Sequence, residues 1–420
     1  MNGNTGQTSG IQRSIFPFLI LLIFTNWVNI SMAQRGGDLS LNPKLQFFRP
    51  APDKLSLYFS LPARDLLYSR ATETSQMEAN ILISCKGIVS KKNETLWNIE
   101  QEFSVRQGNN YDQYVDYLRL DEKSEFFGEI LVTVRDVKRG IEYTAYSIVN
   151  KERIDSQQFL PISALSGRPH VKNYYSVGDS LQVLCSKLYE ESIYTTEYQL
   201  PELPAPPPFV EESRAPQPTV GRNLELKVFD KISELPVIKK PALLEIKGNQ
   251  EQKDMGLVLT FFKTNYPEIH HAEDMVSPLI FITTPEEFQT LQQQENKRKA
   301  AENFWLDRCR NKEKARRVIE EFYSRVVESN KYFTAEVEGW KTDRGMIYTI
   351  FGPPETVTKR GDEEIWVYGR EINTVRLSFS FIKTPSNFSF NHYELVRNVG
   401  YKSIWDMATN SWRNGRVFSY

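Results

Sequence analysis

The chain is predicted to be mainly β with an α+β C-terminal domain: two antiparallel β-sandwich-like modules followed by a helical pair and an antiparallel β-meander. Three observations carry this prediction. Short runs in which apolar and polar residues alternate recur from residue 43 to about residue 284. From Pro285 the apolar spacing changes to that of a helix, and after Asn330 strand-like runs return. With 420 residues, 40% of them hydrophobic and 25% charged, there is chain for two or three compact units with cores of their own.

Residues 1–33 read as an export signal peptide. The apolar run Ile15–Phe24 follows Arg13 and is diluted by Thr25, Asn26 and Asn29, well short of the ~20 apolar residues that a membrane span needs. Ser31-Met32-Ala33 places small residues where a signal peptidase reads, which predicts a mature start at Gln34; an uncleaved anchor is the alternative. After cleavage the chain is not expected to be integral to a membrane. Cys85, Cys185 and Cys309 fall in apolar phases and are expected as buried free thiols.

The first β module is placed at 43–160. Leu55, Leu57, Phe59 and Leu61 alternate with polar neighbours, 77–85 repeats the pattern, and 130–134 turns through Lys138-Arg139-Gly140 into a hairpin with 141–149. The second module is placed at 165–284, with strands at 180–186, 193–199, 223–230, 241–247, 255–263 and 278–283. A Pro-rich loop, 201–218, interrupts it. Proline fixes φ and donates no backbone hydrogen bond, so this stretch is expected to be extended and exposed. A long loop or stiff linker is favoured there over a Pro-rich partner ligand.

The third unit is placed at 285–420. A helix is expected within 286–310, and a second where Ala315, Val318, Ile319, Phe322, Tyr323, Val326 and Val327 form one apolar face. Strands follow at 346–351, 363–368, 374–382 and 390–397, with a short helix at 403–412 closed by Gly415. Between the helices and the meander lies Gly339-Trp340-Lys341-Thr342-Asp343-Arg344-Gly345. Its glycines bracket a tight turn in which Thr342 and Asp343 can hydrogen-bond back to the turn's own amides, with Trp340 as anchor and Asp343 as the expected cap. Gly352-Pro353-Pro354 ends the next strand, and Trp366 and Tyr368 share one face of the strand after it.

The segment 339–355, together with Glu364-Ile365-Trp366-Val367-Tyr368, resembles the GWxTD domain family of exported bacterial envelope proteins. The resemblance spans about 285–420 with its core at 339–368; all motif positions are filled, with Glu355 standing where Asp is expected. It implies a location in the periplasm or the outer-membrane-associated envelope. It implies no established activity, so it assigns no catalytic residue.

The chemistry points the same way. No G-x-S-x-G, P-loop or dinucleotide fingerprint is present. His270-His271 is expected in a solvated loop rather than at a metal, and no cofactor is implied. Asp343 and Arg344 are expected in an internal ion pair or cap, and Asp362-Glu363-Glu364 at a solvated hairpin tip. Arg308, Lys312 and Arg316 recur every four residues and would line one basic helical face. A net charge of −1 argues against a nucleic-acid binder.

The leading expectation is a non-enzymatic cell-envelope scaffold that presents the C-terminal domain to a protein partner. The alternative is an envelope glycan- or peptidoglycan-binding module, suggested by Trp305, Trp340, Trp366, Trp405 and Trp412, with Trp412 expected to be the most exposed. A third is a hydrolase with an unfamiliar site near Asp343.

Overall fold

The computed structural model describes residues 34–35, 41, 43–63, 66–70, 76–89, 94–107, 113–121, 128–149, 156–186, 191–211, 217–251, 256–369, 377–386, 388–389 and 391–419. The expected signal segment, 1–33, lies outside the described residues. Among those described, no helix is long and apolar enough to cross a membrane.

The first strand, β1 (Gln34–Arg35), pairs far along the chain and is taken up below. Strands β2 (Lys44–Ala51), β3 (Lys54–Pro62) and β7 (Gln113–Arg119) form an antiparallel sheet with β3 in the middle. It faces a second sheet centred on β5 (Met77–Val89), which pairs with β6 (Glu94–Arg106) and β8 (Gly128–Asp136). The short β4 (Ser69–Arg70) also pairs with β5, and β9 (Glu142–Val149) completes the sheet beyond β8. Leu55, Leu57, Phe59 and Leu61 meet Ile81, Ile83, Cys85, Ile130, Val132 and Val134 between the sheets. The period-2 pattern of these strands is the pleat that sends alternate side chains inward.

The second β unit has its own core. One sheet runs β10 (Phe159–Ser163), β12 (Leu181–Cys185), β15 (Ile232–Glu234). The other runs β11 (Tyr175–Ser176), β17 (Leu257–Phe262), β16 (Ala242–Lys247), β13 (Ser192–Gln199), β14 (Thr219–Lys227). It is antiparallel except for the β11–β17 pair. All three cysteines are buried and free, and burial pushes the thiols of Cys85 and Cys185 up to about 12.

The expected strand at 278–283 is instead a 3-10 turn over Ser277–Phe281, with Pro278 at its start. Its apolar run reads as a strand because it is buried on most sides: Leu279, Phe281 and Ile282, with Val276, join the C-terminal core.

That core is built on helices α1 (Ala272–Val276), α2 (Pro285–Gln293), α3 (Lys297–Cys309) and α4 (Lys312–Phe333). The predicted single helix over 286–310 is two. Asn296 caps α3 through Lys299, and Asn311 caps α4 through Lys314. Between α3 and α4 the backbone of Arg310 turns left-handed, at φ 55°. Trp305, Phe322 and Trp412 pack edge-on or tilted against one another, with ring centres 5.2 to 6.3 Å apart.

Residues 346–351 correct the expected strand: they belong to helix α5 (Asp343–Phe351), and every residue of α5 is buried. Gly352-Pro353-Pro354 therefore ends a helix. Gly352 sits at φ 82°, and a Cβ there would lie 2.8 Å from the Arg325 guanidinium carbon, so glycine is required twice over. Strands β18 (Thr356–Arg360), β19 (Glu363–Tyr368), β20 (Leu377–Lys383) and β21 (Tyr393–Leu395) form the antiparallel meander, with β1 added at the β18 edge. Helix α6 (Tyr401–Arg413) closes the core.

Candidate functional site

The Gly-Trp-Lys-Thr-Asp segment opens as a single 3-10 turn, Gly339–Lys341, wedged between the end of α4 and the start of α5, and its last two residues cap and begin α5. A Cβ on Gly339 would lie 2.0 Å from the Ser329 carbonyl oxygen of α4, and one on Gly345 only 1.8 Å from the Gly339 carbonyl oxygen. Both glycines are there because three backbones meet without room for a side chain. The polar groups of this crossing are satisfied locally. Asn330 accepts from the Trp340 amide at 3.2 Å and donates to the Pro267 carbonyl at 3.1 Å. The Tyr266 phenol accepts from the Gly339 amide at 3.1 Å. Trp340 is buried edge-on against Phe281, with ring centres 5.7 Å apart, and so is the anchor expected of it.

Thr342, not Asp343, caps α5: its Oγ1 accepts from the Gly345 amide at 3.1 Å and donates to the Gly339 carbonyl at 2.8 Å. Asp343 is buried and turned toward β21. One carboxylate oxygen accepts from the Leu395 amide at 2.9 Å, and the other accepts from Arg397. Burial pushes the Asp343 carboxyl above the usual range, against the opposing pull of Arg397.

Arg344 points the other way. Its guanidinium carbon lies over Tyr393, 3.9 Å from the ring centre, and it donates to the Asn391 carbonyl at 2.9 Å. Its other nitrogen is 3.6 Å from Glu364. So Asp343 and Arg344 do not pair with each other.

Glu364 also corrects an expectation. It is buried beneath the sheet, not at a solvated tip, and accepts from the Trp366 indole at 2.7 Å. Burial alone would raise its carboxyl; Arg344, Lys359 and the indole together hold it below the usual range. Trp366 and Tyr368 share the buried face predicted for them, and Tyr368 donates to the Gly352 carbonyl at 2.9 Å.

The Pro-rich stretch is where the sequence misleads most. Its described first part is not a free linker: Glu202 and Leu203 are exposed as expected, but Ala205 and Pro208 are buried. The Ala205 amide donates to the Lys341 carbonyl at 2.7 Å, and Lys341 Nζ donates to the Pro201 carbonyl at 3.3 Å. Arg397, held by Asp343, donates to the carbonyls of Pro206 and Pro207, each at 2.7 Å. The Asn398 amide donates to the Pro208 carbonyl at 3.2 Å. Phe209 then packs against the C-terminal core, with Lys402 Nζ 4.9 Å over its ring. The strap leaves a crevice of only about 20 Å³ beneath it, room for about one water.

Other candidates resolve simply. Arg308 is in the last turn of α3, lies 3.6 Å over the Phe304 ring and pairs with Glu287 at 2.9 Å. Lys312 and Arg316 belong to α4, beyond the left-handed break at Arg310, so the three do not line one helix. Trp412 is fully buried, contrary to expectation, and donates to the Ile350 carbonyl at 3.0 Å. His270 and His271 are exposed, and among the described residues no cluster of His, Cys, Asp or Glu could hold a metal.

In comparison with known proteins, the family model of the GWxTD domain matches residues 244–414. No curated protein matches significantly. Among solved structures, a β-glucuronidase from Bacteroides uniformis is similar at 11% identity over 27% of this chain and 14% of that one, with a TM-score of 0.16. A likeness that slight carries no argument.

Proposed function

We propose that the chain, whose residues 244–414 match the family model of the GWxTD domain, is a non-enzymatic scaffold of the cell envelope whose C-terminal domain engages a protein partner. One observation carries this proposal. The motif spends its polar groups on holding polypeptide: Lys341 and the Asp343–Arg397 pair receive a backbone segment from the neighbouring β unit. Asp343, on which the hydrolase alternative was placed, is buried with both oxygens engaged, which supports the scaffold over that alternative. The tryptophans that suggested glycan binding, Trp305, Trp340, Trp366, Trp405 and Trp412, all belong to the core.

Export through cleavage after Ala33 belongs to the same proposal. Gln34 and Arg35, which pair with β18, follow that cut. Cross-linking in intact cells should join one reproducible exported protein to sites within 244–414. Cross-links that scatter over many proteins, or that map outside this region, would count against the scaffold.

A further inference from the structure

The strap fits its seat with a chemical match that a generic loop contact would not have. In Pro204-Ala205-Pro206-Pro207-Pro208 only Ala205 carries a backbone N–H, since proline has none. That one donor meets a carbonyl of the motif turn, that of Lys341, at 2.7 Å. Everything else the run presents is a carbonyl. The seat answers with donors, Arg397 to Pro206 and Pro207 and the Asn398 amide to Pro208, and Lys341 Nζ holds the Pro201 carbonyl just ahead of the run. Ala205 is 3% exposed, which leaves little room for a larger side chain at the register position. Pre-set φ angles also lower the ordering cost of such a segment, the advantage that proline-rich ligands exploit elsewhere.

We propose that the face formed by Lys341, Asp343, Arg397 and Asn398 is a docking groove for an extended proline-rich segment with a single free amide. Residues 204–208 occupy it in cis, and a segment of the same chemistry on a partner polypeptide competes for it. Arg397 is the recognition residue; Asp343 positions it. The inference rests on the scaffold proposal for its biological use, but the groove itself is testable without any cellular partner.

The test uses the full chain with residues 204–208 replaced by glycine and serine, and a labelled synthetic peptide of residues 199–210. Fluorescence anisotropy should show saturable binding to the replaced chain and about tenfold weaker binding to the intact chain, whose groove is filled. Adding Arg397→Ala to the replaced chain, or Ala205→Pro to the peptide, should each weaken binding about tenfold, the effect of losing one strong hydrogen bond. A replaced chain with wild-type circular dichroism that binds no better than the intact one would overturn the proposal. If the replaced chain does not fold, the full-length Ala205→Pro variant serves, because it loosens the strap by one donor. It should bind the unmodified peptide more tightly than wild type does, and equal binding would overturn the proposal. Peptide binding without a cellular partner would leave the groove standing and sink the scaffold proposal.

Discussion

His392 is held between two carboxylates on the rim of the strap crevice. Its Nδ1 is in contact with Glu336, a buried side chain, and its Nε2 lies 3.5 Å from Glu394. Burial would lower the imidazole's pKa, but the two carboxylates outweigh it and raise the value above 6.5. A raised folded-state pKa means that folding favours the charged form. Its contribution to stability is full below the unfolded value and is lost as pH rises through the folded one. Urea unfolding followed by tryptophan fluorescence reads this core well, since five of the seven tryptophans lie in it. The wild-type midpoint should fall between about pH 6 and about pH 8, the range over which histidine titrates. His392→Gln should be less stable than wild type at the lower pH and show a shallower decline. Parallel declines in the two proteins would remove His392 from the account.

Around the motif, the elements meet closely enough that backbone geometry decides what is allowed. α4, the 3-10 turn and α5 cross at Gly339 and Gly345, where an added Cβ would overlap a carbonyl oxygen of a neighbouring element. Gly339→Ala and Gly345→Ala should each cost about 3 kcal/mol or more, the upper range for overpacking. Gly361, at the β18–β19 hairpin, has a φ of 58° and nothing within 4 Å of an added Cβ. Gly361→Ala should cost only the left-handed backbone penalty, about 1–2 kcal/mol. Urea midpoints by tryptophan fluorescence compare the three, and a Gly345→Ala cost no larger than that of Gly361→Ala would refute the close-crossing account.

The same elements show where sequence reasoning works. The strands of the first β unit were legible because each has one wet face, so alternation survives. Helix α4 was legible for the same reason at period 3.6. Helix α5 was not: all its residues are buried, no polar stripe marks its period, and Met346–Phe351 is rich in residues that favour strands. The signal that finds it is at its ends, a Thr342 cap and a Gly352 stop. The break between α3 and α4 was likewise written in Asn311, a good N-cap, while the four-residue spacing of Arg308, Lys312 and Arg316 ran across it.

Across the whole molecule, the strap was beyond the reach of local pattern. The loop between β13 and β14 leaves its own sheet and docks on residues some 130 to 190 positions later, and composition alone records only its stiffness. Its carbonyl-rich backbone becomes informative only beside Lys341 and Arg397. The second β unit and the C-terminal domain are thereby tied at the motif, which gives Lys341 and Asp343 a role that no catalytic pattern suggested.

Amide hydrogen exchange at Ala205 in the full-length chain tests that tie most directly. If the strap is docked, the Ala205 N–H is slowed well below its free-peptide rate by its bond to the Lys341 carbonyl, and Arg397→Ala restores much of the lost rate. An Ala205 amide that exchanges at the free-peptide rate in the native wild-type protein would contradict the account.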